Sequence, residues 1–328
     1  MASISCSQGI DAYIFSFIIP QCFLSFGMQH LEFQSPFLQF NGQLQTLLPA
    51  IFRKPRTAPY SRERFILSDG DFVDLDWLQS QNDRLILVSH GLEGNSDRSY
   101  VKGIAKHFSS NNFDVLAWNC RSCSGTMNKA PRLYHHGEVE DISEVIKHIV
   151  KQHGYKEIWL SGFSMGANIS LNYLGKKHLS VPTEVKGAVV CSAPLDLADG
   201  VDQLHTSEGA FYRKRFFQLL SKKIKIKAQQ FPGLLDISKL DSSKHWTWFD
   251  RHFSAPLSGC KNELEFYEQA TPLNFMYHIE KPVLIVNAKN DPLLGKKCYP
   301  EAAIKQFSNI EFEIPVNGGH VGLSLIHI

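Results

Sequence analysis

Short apolar runs bounded by polar turns recur along this chain and alternate with longer stretches of mixed character. Residues 84–89, 113–118, 157–161, 185–191, 282–288 and 310–314 have the length and composition of strands buried on both faces, which is the pattern of a parallel sheet. Between them, residues 99–108, 140–153, 167–174 and 297–307 read as helices. This rhythm predicts an α/β fold with a mostly parallel central sheet flanked by helices. Two earlier runs, 64–67 and 72–77, flank Asp69-Gly70, a hairpin signal, and are expected to be antiparallel first strands.

The rhythm breaks twice. From about 198 to 272 the chain is helical in character and rich in aromatic and basic residues, which predicts a cap inserted over the sheet. Within it, residues 213–227 carry Arg213, Lys214, Arg215, Lys222, Lys223, Lys225 and Lys227 without an acid, while Phe216, Phe217, Leu220 and Ile224 can share one helix face. Two readings stand: a cap helix with a solvated basic side, or a surface for peripheral contact with anionic membrane. Residues 1–45 also stand apart, with Asp11 the only charge among the first 29. The apolar run 13–20 is too short to span a bilayer, and no Lys or Arg precedes it as a signal peptide requires. These residues read as an N-terminal extension outside the core, with Met28 as an alternative start and a short interfacial anchor as the other reading. The folded unit is then 46–328.

Chemistry enters at Gly162-Phe163-Ser164-Met165-Gly166, a G-x-S-x-G sequence between a strand run and a helix run. A serine on such a turn holds its hydroxyl above the sheet edge, where it can serve as a nucleophile if a base and an orienting acid are supplied. Asp291 follows the strand run 282–288, 127 residues after Ser164, and His320 follows the run 310–314 after Asn317-Gly318-Gly319. Serine, acid and histidine in that chain order, each after a strand, is the arrangement of the α/β-hydrolase fold. Ser164, His320 and Asp291 are therefore the expected catalytic residues. His90-Gly91-Leu92-Glu93-Gly94 ends another strand run, and the backbone N–H groups of Leu92 and Met165 are the expected oxyanion hole. His90 is expected to brace its turn rather than move protons.

The chain resembles the YheT-like, abhydrolase-domain branch of the α/β-hydrolase superfamily. The matching segments are His90 to Gly94, Asn119-Cys120-Arg121-Ser122-Cys123-Ser124-Gly125, Tyr134-His135-His136-Gly137 and Gly162 to Gly166. Further on come Phe249-Asp250, Phe253-Ser254-Ala255-Pro256-Leu257, Asn287 to Pro292 and Gly318-Gly319-His320. The resemblance spans about 46–322. It implies a serine esterase or lipase whose triad falls on Ser164, Asp291 and His320. Two departures are visible: Ser122 stands where the pattern has glycine, and Asn290 where a second acid precedes the catalytic one.

Composition narrows the alternatives. A hydrophobic content of 43%, a charged content of 20% and a net charge of +2 are ordinary for a globular protein and argue against a dedicated nucleic-acid binder. Seven cysteines without regular spacing point to a reducing, cytoplasmic setting, with membrane association through the N-terminal segment as the alternative. Cys120-Arg121-Ser122-Cys123 is read as structural. No cofactor or metal is expected. The leading reading is a carboxylic ester hydrolase acting on small or lipid acyl esters through an acyl-enzyme. The alternatives are a silent hydrolase fold used as a binding module, or another triad chemistry such as a thioesterase or haloperoxidase. Only eight residues follow His320, so the final helix usual for the fold is expected to be missing.

Overall fold

A computed structural model describes residues 39–57 and 59–325. Its centre is an eight-stranded sheet: β1 (Ser61–Ile66), β2 (Phe72–Leu78), β3 (Arg84–Ser89), β4 (Asp114–Asn119), β5 (Glu157–Phe163), β6 (Val185–Cys191), β7 (Val283–Val286) and β8 (Ile310–Glu313). The order across the sheet is β1-β2-β4-β3-β5-β6-β7-β8. Only β2 runs against its neighbours; the pairs from β4 to β8 are parallel. Asp69 and Gly70 form the expected hairpin turn, with Gly70 at φ 78°. The acids of β2 are tolerated in a buried strand because register sets Arg62 opposite Asp76 and Arg64 opposite Asp74. Both pairs make two-pronged hydrogen bonds of 2.7–2.9 Å.

Alternation along the strands divides the apolar side chains between two cores. Leu85 and Leu87 of β3 face one core, Ile86 and Val88 the other. Helix α1 (Gly42–Phe52) precedes the sheet, and α2 (Ser99–Ser109), α3 (Glu140–His153) and α4 (Met165–Gly175) cover it. In α3 the buried Ile142, Val145, Ile146 and Ile149 follow helical spacing, Glu140 and Asp141 occupy the positive first turn, and Gly154 closes the helix at φ 65°. All of α4 is buried, which explains its apolar and small side chains on every face.

Between β6 and β7 lies the expected cap, all helix and turn: α5 (Leu197–Gln203), α6 (Ala210–Gln230), single turns at Ile237–Lys239, Trp246–Phe249, Asp250–Ser254 and Ala255–Leu257, and α7 (Glu263–Ala270). It has its own apolar core, in which Trp246, Phe249, Phe253 and Tyr267 pack together.

Two expectations change. The helix expected over 297–307 is only a turn at Lys296–Cys298 and another at Glu301–Ile304. Pro300 separates them and disfavours helical backbone at Tyr299, which sits at φ −123°, ψ 58°. The boundary expected near residue 45 falls inside α1, which starts earlier because the Asn41 side chain caps it by accepting from Leu44 N at 2.9 Å. The apolar run 13–20 and Met28 lie outside the described residues. Among the described residues no helix is long and apolar enough to cross a membrane, and a single turn at Gly322–Leu325 follows His320.

Candidate active site

Ser164 stands between β5 and α4 in a conformation that L-residues avoid, φ 54° and ψ −117°. The turn is held by Ser164 N donating to Cys191 O at 3.0 Å, while Ser164 O accepts from Ala167 N at 2.9 Å and Asn168 N at 3.2 Å. The flanking glycines are there for space. A Cβ on Gly162 would come within 2.4 Å of Gly166 O, and one on Gly166 within 2.2 Å of Ser89 O. The tight turn thus drives the first residues of α4 against the end of β3. Met165 is the first residue of α4, where a backbone N–H has no acceptor in its own helix.

Asp291 and His320 come together directly. His320 Nδ1 lies 2.8 and 3.0 Å from the two carboxylate oxygens of Asp291, and both residues are buried, at 9% and 4% exposure. One Asp291 oxygen also accepts from Leu293 N at 2.8 Å, which fixes the carboxylate plane. With Nδ1–H committed to Asp291, Nε2 is left as the acceptor nitrogen, the form required of a base. His320 and Ser164 line the same cavity. Among the described residues the Ser164 hydroxyl hydrogen-bonds to neither partner, a looseness common before substrate binds.

The histidine loop is pinned by side chains from two other segments. Gly318 N donates to Gln45 Oε1 at 2.6 Å, Gly319 N to Asn290 Oδ1 at 3.0 Å, and His320 N to Thr46 Oγ1 at 2.9 Å. Three successive amides each have their own acceptor. From the other side, Ser192 Oγ donates to His320 O at 2.6 Å. Gly318 and Gly319 supply the left-handed backbone this path needs, at φ 152° and 55°.

Asn290 also donates to Gln45 Oε1 at 2.9 Å, so the amide that departs from the family pattern is itself part of the brace. Ser122, the other departure, adopts φ 62°, the conformation for which glycine is the usual choice, and its Oγ serves Asn128 instead. Gln45, Thr46 and Ser192 carry no motif. Their contacts with the loop span more than 120 residues of chain, and nothing local in the sequence announces them.

His90 braces its turn as expected. It is buried, its Nε2 accepts from Cys120 N at 3.1 Å, and its Nδ1 lies 2.8 Å from Gly91 O. Burial pushes its pKa down to about 4, so it is neutral at physiological pH. Leu92 follows on the cavity wall. Glu93, at φ 55°, accepts an ion pair from Lys223 Nζ of α6 at 2.7 Å and a short hydrogen bond from the Tyr134 hydroxyl. Lys227, also on α6, is buried and donates to the Asn128 and Ala130 carbonyls at 2.7 and 2.5 Å. Two of the seven cations of the basic segment therefore point inward and fasten the cap to the sheet body.

The cavity between cap and sheet is mainly apolar. Of the aromatic residues of the cap, Phe216, Trp246, Phe249 and Phe266 line it. Phe253 and Tyr212 are buried in the cap, and Phe211 is exposed. Cys120, Cys123, Cys191, Cys260 and Cys298 are all buried, and none is a wall residue. The Cys120 and Cys123 thiols are pushed upward, chiefly by burial, as befits structural cysteines.

Comparison with known proteins agrees with this fold. A sequence profile described as the alpha/beta hydrolase fold matches residues 84–324. The Escherichia coli (strain K12) protein named "Putative esterase YheT" is 31% identical over 297 residues, covering 88% of this chain and 86% of that one. A mouse protein named phospholipase ABHD3 is 26% identical, covering 85% and 70%. A Saccharomyces cerevisiae protein named monoacylglycerol lipase is 26% identical, covering 73% and 54%. Among solved structures, the Pyrococcus furiosus esterase Pf2001 superposes with a TM-score of 0.55 at 16% identity, covering 81% and 86%, a likeness of fold. The nucleophile-type turn, the buried His–Asp pair, the strand order and the sequence relatives converge: the chain belongs to the α/β-hydrolase fold family.

Proposed function

We propose that this protein is a serine carboxylic ester hydrolase of the esterase/lipase kind. The observation that carries the reading is the buried His320–Asp291 pair facing the same cavity as Ser164 on its strained turn. In this reading His320 Nε2 takes the proton from Ser164 Oγ as that oxygen attacks the ester carbonyl. The amides of Leu92 and Met165 receive the carbonyl oxygen as it becomes negative, with the start of α4 adding its partial positive charge. Collapse releases the alcohol with the proton from His320 and leaves an acyl group on Ser164. Water, activated by the same nitrogen, then releases the acid. Asp291 holds the imidazole in the productive tautomer and stabilises it when charged. The apolar wall supplied by the cap suits an acyl chain, and the names of the relatives given above fit an ester or lipid substrate. The free thiols of Cys120, Cys123, Cys260 and Cys298 suit a reducing, cytoplasmic setting.

The test is turnover of p-nitrophenyl esters by the purified chain. The expected result is steady hydrolysis that Ser164→Ala removes. Absence of turnover on esters of every chain length, or turnover that survives Ser164→Ala, refutes the reading.

The outer side of α6 supports a peripheral membrane contact. Lys214, Arg215, Lys222 and Lys225 are exposed along one stripe, flanked by exposed Phe211 and Ile226. Cations beside apolar side chains suit an anionic lipid surface. Co-sedimentation with phosphatidylserine-containing vesicles should exceed that with phosphatidylcholine alone and fall when these four cations become Gln. Equal binding to both vesicles contradicts it.

A further inference from the structure

The cavity wall is mainly apolar, so selection of the alcohol falls to its few polar groups. Besides Ser164, His320 and the Trp246 indole N–H, which bonds to Asp250, these are Tyr134, His135, His136, Asp250 and Ser254. Four of the five are already engaged. The Tyr134 hydroxyl bonds to Glu93, His135 Nδ1 accepts from Gly137 N at 3.1 Å, and Asp250 accepts from Ser254 Oγ at 2.6 Å and Tyr267 OH at 2.8 Å. His136 is the exception. Its carbonyl is fixed by Asn172 Nδ2 at 3.2 Å, but neither ring nitrogen bonds to any described residue. Burial, with the neighbouring His135, pushes its pKa down to about 3, so the ring is neutral and offers one donor and one acceptor. With no side-chain partner on the wall, both ring nitrogens of the half-buried His136 are available to a ligand in the cavity.

The wall also lacks cations. None of the described residues lining the cavity is Lys or Arg. The cation beside it, Lys223, is already paired with Glu93. The one acid on the wall, Asp250, has its pKa raised by burial to about 6 and still carries negative charge at neutral pH. A phosphate group needs charge-assisted donors, and this wall offers none that are free.

The geometry points to His136 as the residue that hydrogen-bonds the alcohol part of the substrate, selecting an uncharged, hydroxyl-bearing ester over a phosphate-bearing one. The inference rests on the esterase reading above and adds the alcohol class to it. A neutral imidazole matches a hydroxyl in both directions, donating through one nitrogen and accepting through the other. A site built to pair with a hydroxyl discriminates against esters that lack it, because its own polar group is then left unpaired.

The experiment compares three substrates with one acyl chain: a 1-monoacylglycerol, the matching lysophosphatidate and the p-nitrophenyl ester. Wild type should favour the monoacylglycerol over the lysophosphatidate by at least about 100-fold in kcat/KM. His136→Ala should lower the ratio of monoacylglycerol to p-nitrophenyl activity by about tenfold or more, and His136→Asn, which keeps a donor and an acceptor, should restore part of it. His136→Phe retains a ring while removing both nitrogens, and it reads the same ratio if the alanine variant does not fold. A ratio unchanged by removal of the nitrogens, or a wild-type preference for the lysophosphatidate, overturns the inference while leaving the esterase reading intact. Failure to hydrolyse even the p-nitrophenyl ester refutes the esterase reading and this inference with it.

Discussion

The sheet body and the cap face each other across one cavity, yet they are held together by different forces. At the sheet edge, position is fixed by hydrogen bonds: three successive amides of the histidine loop each have a side-chain acceptor, and Asp291 is tied to both His320 and Leu293. In the cap, position is fixed by apolar packing around Phe249 and Phe253, with Lys223 and Lys227 as fasteners. Directional bonds hold reacting atoms to within tenths of an ångström, whereas apolar walls set shape and tolerate variation. In the reading proposed here the chemical step belongs to the sheet edge and the choice of acyl chain to the cap.

The largest effects belong to the sheet edge. Ser164→Ala and His320→Ala should each lower kcat by about 10⁴ to 10⁶, and the double variant should be scarcely worse, because a triad acts as a unit. Asp291→Asn should cost somewhat less, through the wrong tautomer of the imidazole. Losses that simply multiply in the double variant would show that the residues act separately.

Next comes the cap. Each buried methylene contributes about 0.8 kcal/mol, roughly a fourfold gain in kcat/KM per carbon. Activity on p-nitrophenyl esters should therefore rise from acetate to medium chains and then fall. Leu220→Trp, on the α6 side of the cavity, should move the optimum to shorter chains while acetate hydrolysis changes little. Highest activity on acetate, declining with every added carbon, would remove the acyl-binding role of the cap.

A smaller effect is expected one step behind the histidine. Thr46→Val removes the acceptor of His320 N and should lower kcat by about tenfold with little change in KM, at a cost of about 1–3 kcal/mol of stability. An unchanged kcat would mean that Gln45 and Asn290 suffice to hold the loop.

The smallest effect on rate, and one visible in stability, concerns Asp250. Its pKa is raised to about 6, chiefly by burial, so the folded state holds the proton more tightly than the unfolded chain. The associated stability is fully present below about pH 4 and is lost as pH rises through 6, amounting to at most about 3 kcal/mol. Asp250→Asn cannot titrate. The melting temperature of the variant minus that of wild type should therefore increase between pH 4 and 7. A difference independent of pH would contradict the burial account.

Much of the sheet edge was legible in the sequence because local chemistry announces it. Gly162 and Gly166 are required by backbone approaches under 2.5 Å, Asp291 follows the buried strand β7, and His320 follows the half-buried edge strand β8, whose alternation of apolar and acidic residues marks it as a strand. The hairpin at Asp69-Gly70 and the amphipathic α3 were equally plain. What could not be read was the support. Gln45 and Thr46 reach the histidine loop from a segment that looks like a tail, and only the three-dimensional path brings them there. The basic segment of α6 reads as uniformly cationic, but Lys223 and Lys227 face inward because Glu93 and two carbonyls lie beneath them. In the segment 297–307 the apolar spacing suggests a helix, and one proline outweighs it. Composition along the chain records propensity, and such long-range partners leave no trace in it.

The central claim, that Ser164 is the reacting atom of this molecule, is tested most directly by covalent capture. The purified chain is treated with a fluorophosphonate and the modified residue is located by peptide mass mapping, in wild type and in Ser164→Ala. The account predicts a single stoichiometric adduct on Ser164, slowed by orders of magnitude in His320→Ala and absent from Ser164→Ala. An adduct on another residue, or labelling that persists without the Ser164 hydroxyl, would contradict it.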